Sequence, residues 1–117
     1  MPVHIDCVTF DCADPVRLAT FWTAALGYTV RDNHDGWIVL QPTNEPGPLI
    51  GLQRVPEAKI VKNRVHLDLQ VTTSTMDQEV ARLAGLGAIA VRHVVNPPDE
   101  EHTVMHDPEG NEFCVVA

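Results

Sequence analysis

Hydrophobic and polar positions alternate in two segments that lie about half a chain apart, at residues 7–12 and 66–71. Such alternation is typical of a β-strand with one buried face. Each segment is therefore predicted to be the first strand of a repeated unit. The apolar positions are Val8, Phe10 and Cys12 in the first segment and Leu67, Leu69 and Val71 in the second.

Each predicted strand leads into a predicted helix with recognisable ends. In the first half Asp14 is a suitable N-cap, and Pro15 suits the first helical position, where its missing N–H costs nothing. Gly27 is a typical helix-ending residue. The second half repeats the pattern with a cap among residues 73–75 and an ending at Gly87. The apolar stripes are Leu18, Phe21, Trp22, Ala25 and Leu26 in the first helix and Met76, Val80, Leu83 and Ala84 in the second.

Three apolar runs follow each helix, divided by segments rich in turn-forming residues. Each half is therefore predicted to be a βαβββ module, at about 1–56 and about 64–117, with a linker at about 57–63. Neither half alone can bury both its sheet face and its helix. The prediction is one α+β domain over residues 1–117, built from two tandem modules with a shared core.

Charge and composition narrow the function classes. The net charge of −8, from 16 acidic and 8 basic residues, repels phosphate backbones, so we expect no nucleic-acid partner. No apolar run approaches the roughly 18 residues of a membrane span, and the N-terminus lacks the pattern of a signal peptide. An odd count of 3 cysteines favours a reducing compartment. We therefore expect a cytoplasmic protein without a membrane partner.

Three segments, at residues 14–27, 63–69 and 107–114, carry a resemblance to a known family. With them the chain resembles the small glyoxalase-like proteins of the vicinal oxygen chelate superfamily. The resemblance implies that the modules form one curved-sheet cup with the helices outside. It also implies that the cup binds a small-molecule ligand and commonly holds a divalent metal. Members of the family often form homodimers. Carried over by position, the metal ligands would be Cys7, Gln53, His66 and Cys114.

The chain departs from the active enzymes of that family at its predicted metal ligands. Gln53 and Cys114 stand where the resemblance implies glutamates, and a carboxamide cannot accept a substrate proton as a carboxylate can. Iron dioxygenases need two histidines and a carboxylate, of which only His66 is present. We therefore expect neither glyoxalase I nor extradiol dioxygenase activity.

The cofactor prediction follows from the same residues. The soft donors Cys7, Cys114 and His66 would favour zinc among the divalent metals. Free cysteine, however, often behaves as a small buried hydrophobe. Our first expectation is that no metal is needed, and zinc is the alternative.

The candidate site residues fall into two groups. We expect ligand contacts from His66, Gln53, Cys114, Cys7 and Trp37. Asp68 and Asp11 are candidate catalytic carboxylates, because desolvation could raise their pKa towards neutrality. The alternative for both is a solvated or ion-paired carboxylate. His66 could equally be a polar residue bonded to Asp68, and Trp37 could stack on a flat ligand or only line a rim.

The predicted function is that of a small-molecule-binding glyoxalase-like protein, acting as a lyase or isomerase on a compact oxygenated substrate. One alternative is non-catalytic ligand binding or antibiotic sequestration, as in bleomycin resistance. Another is a dimeric module with a vestigial pocket. Exposed sheet edges would support pairing of two copies.

Overall fold

The computed structural model describes residues 2–117, which form two compact units that meet between Ala58 and Lys59. Unit 1 comprises β1 (Cys7–Cys12), α1 (Pro15–Leu26), β2 (Tyr28–His34), β3 (Trp37–Pro42) and β4 (Leu49–Arg54). Unit 2 comprises β5 (Asp68–Gln70), α2 (Met76–Gly85), β6 (Ile89–Asn96), β7 (Glu100–His106) and β8 (Glu112–Val116). The α+β class and the tandem βαβββ modules are confirmed. A shared cup and a single domain stay predictions.

The two units have the same sheet topology. Their strand orders are β1-β4-β3-β2 and β5-β8-β7-β6. In each sheet the first strand runs parallel to the last, and the remaining neighbours are antiparallel. The edge strands β2 and β6 are both bulged, between Val30 and Asp32 and between Ala90 and Arg92. The repeat predicted from the hydrophobic pattern is therefore present in the backbone.

Both helices begin and end for the predicted reasons. Asp14 caps α1 by accepting a hydrogen bond from the backbone N–H of Arg17 at 3.1 Å, and Gly27 ends it with a φ of 69°. Thr75 caps α2 in a capping box with Gln78. No helix within residues 2–117 is long and apolar enough to cross a membrane.

The predicted helix stripes are largely buried, whereas of the predicted strand faces only Cys12 is buried and the other positions are half-buried. The core positions of the two sheets are Leu40, Ile50 and Leu52 in unit 1 and Met105, Phe113 and Val115 in unit 2. Cys12 is buried, as predicted, and its thiol donates to the carbonyl of Gln53 at 3.5 Å. The prediction for Ala84 is wrong, because this residue is exposed. It lies roughly 80° around α2 from Met76, at the margin of the apolar stripe.

One strand is shorter than predicted. The strand that the pattern placed at residues 66–71 is reduced to Asp68–Gln70, and His66 lies two residues before it. This edge strand pairs only with β8, whose ladder partners for it are Cys114 to Val116. Ahead of the strand, the backbone N–H of Cys114 still donates to the carbonyl of Leu67 at 2.9 Å, and further upstream the carboxylate of Glu112 accepts the backbone N–H of Asn63 at 2.7 Å.

Candidate functional site

Three side chains of unit 2 converge on one point, and we call His66, Asp68 and Cys114 the converging cluster. One nitrogen, oxygen or sulfur atom from each lies within 4.8 Å of the other two. Asp68 is the direct neighbour of Cys114 in the parallel β5–β8 pair. His66 precedes Asp68 by two residues, so the alternation of extended chain places both on one side of the sheet. The imidazole Nδ1 of His66 lies 3.1 Å from Oδ1 of Asp68.

The hydrogen bond within the cluster determines which nitrogen of His66 is available. An ionised carboxylate can only accept, so Nδ1 of His66 donates to Asp68. In the neutral imidazole, Nε2 then carries a lone pair and can accept a proton or bind a metal. Asp68 thereby orients the imidazole of His66 and fixes its tautomer.

The surroundings of Cys114 favour the protonated thiol over the reactive thiolate. Cys114 is 9% exposed, and this burial raises the pKa of its thiol. The negative charge of Asp68 and a hydrogen bond to it raise that pKa further, while Lys62 and Arg92 act in the opposite direction. The raised pKa favours the neutral thiol. Cys114 is suited to binding and not to nucleophilic attack.

The converging cluster lines a pocket of about 440 Å³, which is within the range of small-molecule sites. Every lining residue belongs to unit 2. Val104 and Val116 supply apolar surface, and Lys62 and Arg92 supply positive charge. The lining carboxylates are those of Asp68, Asp99, Glu100, Glu101 and Glu112.

Glu112 holds the segment before β5 against the sheet. Its carboxylate accepts the backbone N–H of Asn63 at 2.7 Å and pairs with Lys59 at 3.1 Å. His106 lies 3.5 Å from the same carboxylate. Burial would raise the pKa of Glu112, but the hydrogen bonds from Asn63 and Lys59 outweigh it and lower that pKa. Lys59 and Asn63 of the predicted linker are therefore bonded to β8 and belong to unit 2.

Unit 1 carries different residues at the positions that correspond to the cluster. The matching bulges in β2 and β6 align the two sheets, because Asp32 and Arg92 each follow the bulge. The corresponding rows across the strands are Thr9, Gly51, Val39 and Asp32 in unit 1 and Asp68, Cys114, Val104 and Arg92 in unit 2. Gly51 is therefore the counterpart of Cys114.

In the strand register Gln53 is not the counterpart of Cys114. Gln53 pairs with Asp11 in the way that Val116 pairs with Gln70, so Gln53 corresponds to Val116. Sequence spacing could not show this, since the connections that precede β4 and β8 differ in length. The register of a strand is decided by its backbone partners.

Side chains of β1 fill the space above Gly51. A Cβ atom at that position would lie 2.6 Å from Oγ1 of Thr9 and 3.2 Å from Sγ of Cys7. Sγ of Cys7 and Oγ1 of Thr9 are themselves 3.7 Å apart. Position 51 thus offers no ligand atom, and Cys7 packs over its backbone. That Cys7 and Gln53 bind a metal stays a prediction.

The remaining candidates in unit 1 share one row of the sheet. Asp11 is the partner of Gln53, Gln53 of Trp37, and Trp37 of His34. Trp37 is 41% exposed, and its ring stacks on His34 with 5.6 Å between centroids and 13° between planes. Trp37 is therefore not a core residue. Its role in ligand binding stays a prediction, as does that of Asp11 in catalysis.

Glu112, Arg92 and Lys62 line the pocket but were not among the site residues predicted from the sequence. Alternation could have found Glu112, because it precedes Cys114 by two residues and shares its side of β8. Arg92 could not be found in this way. The bulge after Ala90 shifts its register, and a bulge leaves no clear signal in a single sequence.

The converging cluster fits a divalent metal by its chemistry. An imidazole nitrogen, a carboxylate oxygen and a thiolate sulfur are the donors that zinc accepts in proteins. Such a site would require the thiol of Cys114 to lose its proton on binding. Within residues 2–117, these are the three metal-type side chains whose ligand atoms lie close enough together to hold one metal ion.

Comparison with known proteins agrees with the repeat and the topology. The family model of a glyoxalase-like domain matches residues 7–116. The chain belongs to this family. The glyoxalase-like domain is a member of the vicinal oxygen chelate superfamily, and the resemblance seen in the sequence is confirmed. No curated protein matches the chain significantly.

Solved structures of the superfamily share the fold. A glyoxalase/bleomycin resistance protein/dioxygenase family enzyme from Burkholderia phytofirmans is 19% identical, with a TM-score of 0.80 over 97% of this chain and 98% of that one. The fosfomycin resistance protein FosX from Listeria monocytogenes is 12% identical, with a TM-score of 0.81 over 100% and 90% of the two chains. That FosX structure, of an E126Q mutant, contains Mn(II) and 1S,2S-dihydroxypropylphosphonic acid. At these identities the similarity establishes the fold alone.

Proposed function

We propose that unit 2 of this glyoxalase-like protein binds a compact oxygenated molecule and acts on it as a lyase or isomerase. The convergence of His66, Asp68 and Cys114 at the pocket carries the proposal. These side chains offer a hydrogen-bond donor, an acceptor and a proton-accepting nitrogen within one small volume. Lyase and isomerase reactions at oxygenated carbon require such a proton transfer.

The chemistry begins with His66. Nε2 is the atom that removes a proton from the ligand, because Nδ1 is bonded to Asp68. Asp68 stabilises the imidazolium that forms, in the manner of a carboxylate behind a catalytic histidine. Asp68 is thus a positioning residue, whereas the sequence suggested it as the base itself. A positioned base of this type contributes about 10²- to 10⁴-fold in rate.

The same cluster would hold a divalent metal, zinc first, through His66, Asp68 and Cys114. Such an ion supplies Lewis-acid polarisation of a ligand oxygen. Both uses of the cluster place an oxygenated group of the ligand beside Cys114. The thiol contributes a hydrogen bond in one case and a sulfur ligand in the other.

The binding test uses a panel of compact oxygenated compounds: 2-hydroxy acids, 2-oxo acids, 1,2-diols and dihydroxypropylphosphonic acid. Thermal shift and NMR titration of the wild type are compared with His66→Ala. The matched control is His93→Ala, since His93 also pairs with a carboxylate, Glu101 at 3.2 Å, but does not line the pocket. We expect binding to the wild type and to the control, and its loss in His66→Ala. Equal binding to all three proteins would reject the site.

Metal content is measured in parallel on protein purified under reducing conditions. Zinc that is lost in His66→Ala and Cys114→Ser, and retained in His93→Ala, would identify the cluster as its site. Retention of zinc in Cys7→Ser would separate the cluster from the ligand set implied by the family resemblance. Turnover is tested by solvent deuterium exchange at carbon atoms of any bound compound. Binding without exchange in the wild type would contradict a lyase or isomerase.

Binding without turnover is a second candidate function. The row of unit 1 that contains Gln53 and Trp37 favours it. The exposed ring of Trp37 lies beside the amide of Gln53, and both groups can bind a flat ligand without moving a proton. Recovery of a bound compound unchanged, together with weaker binding in Trp37→Ala, would support this function. Unaltered binding in Trp37→Ala would argue against it.

We also propose that the protein forms a homodimer. The edge strand β6 exposes the apolar residues Ile89, Val91 and Val95, and edge strands present unpaired backbone groups to a second copy. Val91→Lys should shift the molecular mass in solution from dimer to monomer. Light scattering coupled to gel filtration measures it, and a monomeric wild type would reject the proposal.

A further inference from the structure

The pocket contains two cations without a carboxylate partner. Across the described residues 2–117, neither Lys62 nor Arg92 forms an ion pair, and the ammonium of Lys62 reaches only the backbone carbonyl of Asn63 at 3.3 Å. Both residues line the pocket. Cations at the wall of a site are usually paired, and unpaired ones are available to a ligand.

The carboxylates of the same pocket are mostly engaged elsewhere. Asp68 accepts from His66, and Glu112 is held by Asn63 and Lys59. Glu100 pairs with His102 at 3.2 Å and also accepts from Asn96, while Glu101 pairs with His93. Asp99, in the turn before β7, is the exception. Four of the five lining carboxylates thus already accept hydrogen bonds or form ion pairs, whereas Lys62 and Arg92 have no carboxylate partner.

Backbone register places Arg92 level with the converging cluster. Arg92 pairs with Val104, and Val104 pairs with Cys114. Two strand spacings separate the Cα atoms of Arg92 and Cys114, which is roughly 10 Å, a distance that an arginine side chain can largely span. The charges of Arg92 and Lys62 both act on the thiol of Cys114. The two cations line the same pocket as Cys114.

The corresponding row of unit 1 has the opposite charge. Asp32 stands there in place of Arg92, and its carboxylate pairs with Arg31 at 3.6 Å. Gly51 stands in place of Cys114. The two halves of the repeat thus differ at both positions, and only unit 2 combines a converging cluster with an unpaired guanidinium.

We infer that the ligand of unit 2 carries an anionic oxygen group, which Arg92 and Lys62 bind while its neighbouring oxygenated carbon lies at His66 and Cys114. This inference rests on the proposed function and narrows it to a substrate class. Carboxylates and phosphonates share the required chemistry, since both accept two parallel hydrogen bonds from a guanidinium. The charge supplies affinity and orientation, and the cluster supplies the proton transfer.

The experiment compares three probes of similar size: 2-hydroxypropanoate, 2-hydroxypropylphosphonate and the neutral 2-hydroxypropanamide. Their dissociation constants are measured by NMR titration against the wild type, Arg92→Gln, Arg92→Lys and Lys62→Gln. The matched control is Arg31→Gln, an exposed arginine on the corresponding strand of unit 1. Amide spectra confirm that each variant is folded.

We expect the better of the two anions to bind the wild type about 10- to 100-fold more tightly than the amide, which is the contribution of a charge-assisted hydrogen bond. Arg92→Gln should abolish this preference, Lys62→Gln should reduce it, Arg92→Lys should keep part of it, and Arg31→Gln should leave it intact. The relative affinity of carboxylate and phosphonate then identifies the group.

Two results would overturn the inference. One is an amide that binds as tightly as both anions, and the other is an anion preference that survives Arg92→Gln. If His66→Ala still abolishes binding in those cases, the proposed pocket stands and only its anionic ligand class is rejected. If neither anion binds and His66→Ala changes nothing for the neutral probes, the proposed function fails as well.

Discussion

Asp68 lies directly opposite Cys114 in the parallel β5–β8 pair, and its carboxylate lies within 4.8 Å of the thiol. Here the pairing brings a carboxylate against a buried thiol and stabilises the protonated form of the sulfur. The relationship connects the sheet register to the reactivity of one atom.

The first prediction concerns that reactivity. Asp68→Asn should lower the pKa of Cys114, because it removes a negative charge and a carboxylate acceptor, whereas burial continues to raise that pKa. At a pH of about 8, each unit by which the pKa falls increases the thiolate fraction about tenfold. We expect alkylation of Cys114 by iodoacetamide to accelerate about three- to tenfold on that scale, as measured by mass spectrometry of the modified peptide.

Cys7 in the same samples is the internal control, since it lies in unit 1 and its alkylation rate should not change. A Cys114 rate that is unchanged, or lower, in Asp68→Asn would contradict the electrostatic account.

The second prediction concerns Gly51. Gly51→Ala should destabilise the protein by about 1–3 kcal/mol, because its Cβ would lie 2.6 Å from Oγ1 of Thr9. Urea unfolding measures the loss. Adding Thr9→Ala to the Gly51→Ala variant should recover part of the lost stability, since it removes the hydroxyl that the new Cβ would meet.

Gly85→Ala is the matched control. Gly85 lies in α2 and a Cβ there would meet nothing within 4 Å, so this change should stabilise by about 0.5–1 kcal/mol through helix propensity. If both glycine substitutions had the same sign, the close approach at Gly51 would not be the cause.

The third prediction concerns Glu112, whose side chain is 11% exposed. Glu112→Ala should cost about 1–3 kcal/mol, because the backbone N–H of Asn63 loses its acceptor. Glu79→Ala is the control: its i,i+3 pair with Arg82 lies on the helix surface and is worth about 0.2–0.5 kcal/mol. Equal losses of unfolding free energy in the two variants would argue against a stabilising bond between Glu112 and Asn63.

Glu112 also has a pH signature. Its pKa is lowered in the folded protein, so the charged form stabilises the fold above the unfolded pKa of about 4.3. This contribution should be lost as the pH falls below that value and through the folded pKa. The difference in unfolding free energy between wild type and Glu112→Gln should therefore shrink on acidification. A difference that grows towards low pH would contradict the sign.

The fourth prediction concerns the turn before β8. Asp107 is 2% exposed and accepts from the backbone N–H groups of Glu109 and Asn111 at 2.9 and 3.0 Å. Asp107→Ala should cost about 1–3 kcal/mol, because two part-buried backbone donors would lose their acceptor. Thermal unfolding measures it against Asp35→Ala, a fully exposed partner of Arg54 that should change stability little. A small effect at Asp107 would reject this role.

The sequence alone determined the elements and their repetition. These features are local signals: the alternating segments, the helix caps Asp14 and Thr75, and the glycine after α1. Each of them sets the conformation of the residues next to it. The same reasoning correctly placed Cys12 in the core, and it named His66 and Cys114, whose ligand atoms lie within 4.8 Å of each other in the structure. These conclusions needed only hydrophobic periodicity, helix capping and the family motifs.

Tertiary structure decided the registers, and with them the composition of the site. A shift of two residues between strands leaves the hydrophobic pattern unchanged, so no pattern could distinguish Gly51 from Gln53 as the counterpart of Cys114. The bulge in β6 similarly brought Arg92 into the pocket row. Which side chains meet across a sheet depends on backbone hydrogen bonds between distant segments, and that information is not local to any of them.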